Sequence, residues 1–402
     1  MPTEFSAPAE GAPRASAPPI PMADVSTSHA SSAPLPASPA CAAPAYTTPD
    51  PANPPTVLVL GGAGFIGRHA VAALRRRGCA VVVGTRRPQR RAREHARANA
   101  VVHPAPAVNR TEPAPAAAGY REVHLERLLR AEDWADALQG VGAVINCVGI
   151  LRQRGRETYD RVHHLAPAAL AAACAARGLR LIHVSALGLD GPARSRFLRS
   201  KRDGEAALRA SAADWRIVRP SLLDGDGGYG ARWLRRVAAW PVHPLPRGAC
   251  GRIAVLHVED LGEALATLVL HQHPDALAHT APVAIAAAAS PVVAATPAEQ
   301  REFDLGGRSE RSLAQHLAAL RAERGAPSAR ILRVPDAATR LLAHLCDLLH
   351  VTPFSFGHWE LLQRDNLPQH NALPALLGRA PRAVGVEPAG PIGLPAPGLR
   401  PV

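Results

Sequence analysis

Apolar positions along the chain fall into short unbroken runs separated by stretches of helical periodicity. Val57–Leu60 predicts a buried strand, and Phe65–Arg77 a helix stopped by Gly78. The spacing then repeats. Strands are expected at Ala80–Gly84, Ala143–Val148, Leu179–Ser185 and Trp215–Arg219, and helices before Gly178, over 195–210 and over 231–240. Ile253–Val258 and Glu259–Leu270 predict one more strand and helix. Runs apolar at every position, rather than every second one, belong to strands covered on both faces, as in a parallel sheet. Strands alternating with helices predict an α/β class: a Rossmann-type, doubly wound parallel sheet with a smaller C-terminal substrate or partner region.

Between these elements the pattern lapses. Residues 1–55 hold Ala, Pro, Ser and Thr with few large apolar groups, too little to offset the entropy of ordering, and are expected to be disordered. Residues 88–119 and 271–300 are longer than ordinary connections and read as flexible insertions; 380–402, with Pro every few residues, reads as a flexible tail. This leaves a Rossmann domain over 56–270 and an α-rich region over 301–379.

The net charge is +13, from 46 basic and 33 acidic side chains, and Lys201 is the single lysine. Where Arg serves everywhere else, that position invites chemistry a guanidinium cannot perform. No run of about 18 apolar residues occurs, so no transmembrane helix is expected. The first residues lack the apolar core of a secretory signal. Six cysteines, at 41, 79, 147, 174, 250 and 346, form no CxxC pair, which argues against a disulfide framework or a zinc site and fits a reducing cytoplasm.

The candidate chemistry starts at VLVLGGAGFIGRH, 57–69. A strand runs straight into Gly61, Gly62, Gly64 and Gly67, and a helix follows. Glycines allow a tight turn and close approach of backbone to a pyrophosphate, and the helix start offers free N–H groups. The second strand ends in Thr85-Arg86-Arg87, with no acid to hold a ribose 2′-hydroxyl and two guanidiniums suited to a 2′-phosphate, so NADP(H) is expected ahead of NAD(H). The Arg run within 86–97 has no interleaved aromatics and no nucleic-acid motif beside it, so no nucleic-acid partner is expected.

Short-chain dehydrogenase chemistry needs a Ser at the fifth strand's end, a Tyr, and a Lys four residues after it. LIHVSALG puts Ser185 at that end, and Lys201 stands in the lysine slot, but Phe197 occupies the tyrosine position. A phenyl ring has no proton to give. Tyr159, Tyr229, His163 and His164 are the candidates for a relocated acid.

GGAGFIGRH, INCVGIL, HVSALG, RSKRDGEAAL, WRIVRPSLLDG and VEDLGEAL together resemble atypical short-chain dehydrogenases/reductases of the extended, NAD-dependent epimerase/dehydratase-like type. With Leu305-Gly306-Gly307 and the late ELLQRDN, 360–366, the chain looks most like bacterial relatives of the nucleotide-binding accessory subunit of respiratory complex I. The resemblance covers about 56–379 without the insertions. It implies a nicotinamide dinucleotide held by Gly61, Gly64 and Gly67 at the pyrophosphate, with Phe65 and Ile66 opening the helix. Arg86 and Arg87 would meet the 2′-phosphate. Asn146, Cys147, Val148 and Gly149 would lie beside the adenosine ribose, Ser185 and Lys201 near the nicotinamide ribose, and Pro220, Ser221 and Leu222 near the carboxamide. The acid often found after the third strand has only Glu126 as a replacement. Two functions stay open: NADPH held as a structural or sensing ligand, with a partner in a respiratory or other membrane complex, or an active reductase, dehydrogenase or epimerase with a relocated proton donor.

Overall fold

A computed structural model describes residues 54–94, 119–270, 300–349, 352 and 354–386. The sheet's strands are β1 (Val57–Leu60), β2 (Val81–Thr85), β3 (Gly119–Glu122), β4 (Ala143–Asn146), β5 (Arg180–Val184), β6 (Asp214–Pro220) and β11 (Glu302–Leu305). They lie in the order β11-β6-β5-β4-β1-β2-β3, and every pairing is parallel. Chain order reverses between β1 and β4, so the loops leaving their carboxyl ends part and open a crevice.

Helices cover both faces. On one side lie α1 (Phe65–Arg76), α5 (Val258–Leu270) and α9 (Leu373–Leu377); on the other lie α2 (Ala166–Ala175) and α3 (Arg196–Arg209). Successive β1 side chains separate accordingly: Val57 and Val59 join one core with Leu74, Leu261 and Leu265, and Leu58 and Leu60 join the other with Trp134, Leu170 and Leu208. All four are fully buried, which is why the run shows no polar alternation.

The remaining elements build the second region: β7 (Leu223–Asp224), α4 (Tyr229–Ala238), β8 (Val242–Pro246), β9 (Arg252–Ile253), β10 (Leu256–His257), β12 (Arg311–Ser312), α6 (Leu313–Ala322), β13 (Arg330–Val334), α7 (Asp336–Leu349) and α8 (Phe356–Leu362). Its strands pair two by two, β7 with β10, β9 with β12 and β8 with β13.

Several expectations change. Ile253–Val258 is not one strand. Its two ends pair with different partners, β9 antiparallel to β12 and β10 parallel to β7, and Gly307 packs against the Val255 carbonyl between them. The α-rich region supplies β11, the sheet's edge strand, and α9, whose Leu373 and Leu376 enter the main core. The two regions are thus interleaved in the chain. Residues 88–94, read as part of an insertion, are helical, and Gly119 already starts β3. Residues 380–386, read as tail, lie against α5: Arg379 and Arg382 pair with buried Asp260 and with Glu263, and Val384 is buried beside Ile253 and Val255. The stretches 1–53, 95–118, 271–299 and 387–402 lie outside the described residues. Among the described residues no helix is long and apolar enough to cross a membrane.

Candidate functional site

The crevice between β1 and β4 is floored by backbone. Gly61 has φ of +69°, and its carbonyl accepts the Gly64 N–H at 2.8 Å. A Cβ on Gly67 would stand 2.3 Å from the Gly61 carbonyl oxygen, so only glycine lets α1 pack onto the turn that precedes it. Gly64 caps α1, no side chain caps its first N–H groups, and no acid lies in its first turn. That leaves an uncommitted positive helix end facing the crevice, the arrangement that suits a pyrophosphate. The Phe65 ring packs against Gly228, and Ile66 against the core.

Across the crevice Asn146 is fully buried. Its Oδ1 accepts the Val148 N–H at 3.1 Å, and its amide group lies 3.2 Å from His183 Nδ1. The Val148 side chain sits against Gly61. Burial pushes the Cys147 thiol up to about 12, which disfavours its thiolate. Gly149 leaves room beside His163.

At one end of the crevice lies a cleft of about 590 Å³ lined by Thr85, Arg86, Arg87, Arg90, Arg91, His124, Glu126, Arg127, Arg154, Arg156 and Glu157. The predicted Arg86 and Arg87 are there, and so is Glu126. Sequence reasoning missed Arg90, Arg91, Arg127, Arg154, Arg156 and Glu157; the RQRGRE run after β4 was the available signal. Arg86 is not free: it pairs with Glu157. Glu126 is buried, 3.2 Å from His124 Nδ1.

The other end is built by β5 and α3. Ser185 follows β5, its N–H bound to the Val218 carbonyl at 2.7 Å. Its hydroxyl is buried beside Glu205 and makes no hydrogen bond of regular geometry within the protein. α3 starts at Ser195, whose side chain accepts the Leu198 N–H at 3.3 Å, and carries Phe197, Lys201 and Glu205. Phe197 and Lys201 share a face, the ammonium 5.8 Å from the ring centre. The ring is enclosed by Tyr159, His163 and His358, centroids at 5.7, 5.5 and 5.7 Å.

Beneath them lies a network that the sequence did not announce. Glu205 is buried and receives Arg219 through two nitrogens, Nε at 2.9 Å and Nη2 at 2.7 Å, while Arg209 binds it at 2.9 Å. Arg219 also reaches Glu302 at 2.6 Å and Asp304 at 3.4 Å on β11. Burial alone would raise the Glu205 pKa; the Arg219 hydrogen bonds and charge, with Ser185 and Arg209, outweigh it and hold the carboxyl below its usual range. Burial pushes the Lys201 ammonium down to about 8, against the pull of Glu205. The one hint in the sequence was Glu205 standing four residues after Lys201.

His163 is a positioned, neutral imidazole. It sits in a π-helical turn (Asp160–Leu165), against which α3 packs so closely that a Cβ on Gly204 would meet the His163 carbonyl at 1.9 Å. Its Nε2 accepts the Ile150 N–H at 3.1 Å, so its Nδ1 carries the proton toward Ser200 Oγ at 3.1 Å. Burial, then the Lys201 charge and His183, hold its pKa well below the usual value.

The other candidate acids are engaged elsewhere. The Tyr159 hydroxyl donates to the Leu151 carbonyl at 2.9 Å, and burial raises its pKa. His164 lies 3.0 Å from Asp160 at the surface, and Tyr229 is exposed at the start of α4. Pro220 ends β6. Ser221, expected near a carboxamide, spends its hydroxyl on the Asn366 carbonyl at 2.7 Å and the Ala254 N–H at 3.1 Å; Leu222 packs on Ile253 and Val255. That turn therefore offers backbone and no polar side chain. Among the described residues no cluster of metal-ligating side chains occurs.

The chain is similar to the ceramide reductase of Caulobacter vibrioides, at 32% identity over 214 residues, 52% of this chain and 59% of that protein. It thus spans about three-fifths of the length of that relative. Its fold is similar to the NADPH-dependent quinone oxidoreductase of Escherichia coli, solved with NADPH, with a TM-score of 0.54, 16% identity and coverage of 81% of this chain and 96% of that one. It is similar too to Pal of Bacillus thuringiensis, with a TM-score of 0.51, 14% identity and coverage of 82% and 95%. A glycine turn between β1 and α1, a crevice where strand order reverses, and a match over residues 57–286, more than half of the chain, lead to one conclusion: the chain belongs to the NAD dependent epimerase/dehydratase family.

Proposed function

We propose that the chain is an NADP(H)-dependent reductase of a carbonyl substrate. The observation that carries this reading is that the buried Ser185 hydroxyl and the chain's single lysine both neighbour the same buried carboxylate, Glu205. A reduced nicotinamide dinucleotide supplies a hydride when bound. The residues fit such a group: the Gly61–Gly67 turn would admit a pyrophosphate to the open end of α1, and Arg86 and Arg87, which line the adjoining cleft, would meet a 2′-phosphate. The Ser185 hydroxyl orients the carbonyl oxygen. Lys201 holds a proton at Nζ that is more easily given than that of a solvated lysine, because burial lowers its pKa to about 8. Phe197 and the neighbouring rings exclude water around that amine. His163 and Ser200 hold the α3 backbone and contribute no acid. The name of the Caulobacter relative supports the reductase direction and makes a ceramide, or the ketone from which one arises, the first substrate class to try.

The seal over Phe197 favours a second reading, in which NADPH is a structural or sensing ligand, with a role at a respiratory or other membrane complex. Turnover separates the two. NADPH oxidation with a long-chain N-acyl amino ketone, lost in Ser185→Ala and Lys201→Met and falling as pH rises through about 8, is the expected result. Tight NADPH binding without oxidation of any carbonyl substrate or quinone would leave the structural-ligand reading instead.

A further inference from the structure

The helix α7 (Asp336–Leu349) is built inside out. The side it buries is a stripe of small residues, Thr339, Ala343 and Cys346, at 3%, 0% and 7% exposure. Its leucines face outward: Leu341, Leu342, Leu345 and Leu349 are 72%, 50%, 47% and 56% exposed. A surface helix ordinarily turns its apolar stripe to the core. Four leucines at i, i+1, i+4 and i+8 form a stripe of their own, and such a patch marks a surface that something covers. The chain continues the pattern upstream. β13 (Arg330–Val334) reaches α7 through Pro335 alone, and its Ile331 and Leu332 are 50% and 57% exposed. On the paired strand β8, Val242 stands opposite Arg330, and Trp240 just before it is half exposed.

Charge identifies what covers this surface. Both acids of α7 are engaged within the protein: Asp336 accepts the Gly248 N–H at 2.8 Å, and Asp347 accepts the Phe356 N–H at 3.0 Å and pairs with Arg152 at 3.1 Å. Arg330, Arg333 and Arg340 are exposed and make no ion pair among the described residues. Outward leucines, a tryptophan at the margin, unpaired arginines and acids already engaged by protein donors form the composition that lies in the headgroup layer of an anionic bilayer. We infer that α7, with the adjoining β13 edge, seats the protein on the surface of an anionic lipid membrane. The leucine stripe enters the interface and the arginines meet lipid phosphates.

The test uses the full chain and sedimentation with vesicles, either phosphatidylcholine alone or an equal mixture with phosphatidylglycerol. The protein is expected to sediment with the mixture and not with phosphatidylcholine. Leu341→Glu with Leu345→Glu should weaken association about tenfold or more. Arg333→Ala with Arg340→Ala should weaken it several-fold and flatten its salt dependence. These side chains are exposed, so the thermal midpoint should not move. An environment-sensitive fluorophore on Leu345→Cys should shift to shorter wavelength only with the anionic vesicles. Three outcomes overturn the inference: no sedimentation with anionic vesicles, sedimentation indifferent to the leucine variant, or a fluorophore already shielded without lipid. A dimer that Leu341→Glu dissolves, together with absence from vesicles, would assign the face to a second copy of this chain. NADPH affinity and turnover do not enter the readout, so the membrane result stands or falls apart from the proposed reduction.

Discussion

Around Thr85, Arg86 and the 154–157 loop, guanidiniums line an open cleft, and Arg86 meets Glu157 through a side chain that is 59% exposed. Around Ser185 and Glu205 the polar groups are buried, Lys201 is half-buried, and Arg219 contacts Glu205, Glu302 and Asp304 together. Both regions stand at the carboxyl edge of one sheet. Solvent screens the first, so its pairs are weak, replaceable and free to exchange partners with an incoming anion. The second has no such freedom. A buried charge that loses its partner stays buried, and its cost falls on the fold. Specificity can drift at the open end, whereas the closed end ties chemistry to stability.

The contrast is broken hardest at Glu205. Glu205→Ala leaves Arg219 buried with its main partner gone and is expected to cost about 3 kcal/mol or more, read as a fall in the urea midpoint. A midpoint within error of wild type would mean that the network is no more consequential than a surface pair. Acid attacks the closed interior next. Burial holds His183, His316 and His358 down to about 4, whereas an unfolded histidine titrates near 6.5. Between those values the unfolded chain binds more protons, so stability should fall as pH drops from 6.5 toward 4. Urea midpoints across that window check it, and a flat profile contradicts it.

Lys201 works in the same direction, in an alkaline window. Its folded pKa of about 8 lies below the ordinary 10.5, so from about 8 to 10.5 the unfolded chain again holds the extra proton and stability rises with pH. Lys201→Met should abolish that share of the rise, seen by comparing unfolding curves of the two proteins at alkaline pH. The smallest effects on the fold belong to the open end. Arg86→Ala should change stability by under about 0.5 kcal/mol yet weaken NADPH binding about tenfold with NADH little affected. Glu157→Gln, which releases Arg86, should tighten NADPH about threefold. Calorimetric titration of both cofactors decides these two together.

Legibility in the sequence followed the same division. The glycine turn, Ser185 and Lys201 were readable because their spacing is local: one turn, one strand end, one helix. Arg86 and Arg87 were readable as residues but not as a pair with Glu157, which lies 71 positions on. The Glu205–Arg219–Glu302 set was hidden for the same reason, since Arg219 and Glu302 are 83 positions apart and meet only because β11 is laid beside β6. β11 itself is four residues long and follows the 271–300 lapse, so no periodicity marked it. Ile253–Val258 failed differently: an apolar run says that residues are buried but not which neighbour each end will pair with.

The seal over Phe197 has a consequence in the order of synthesis. Glu360 accepts the N–H groups of Arg194 and Ser195 at 2.7 Å each, and Gly357 lies against the Phe197 ring. The start of the helix that presents Lys201 is thus completed by residues translated some 160 positions later. While a ribosome is still making α7, the nascent chain already owns its glycine turn and all seven strands of its main sheet, but the amides ahead of α3 have no acceptor and the aromatic pocket has no roof. A product that ends before Gly357 therefore lacks both the acceptor for those amides and the roof over the Phe197 ring.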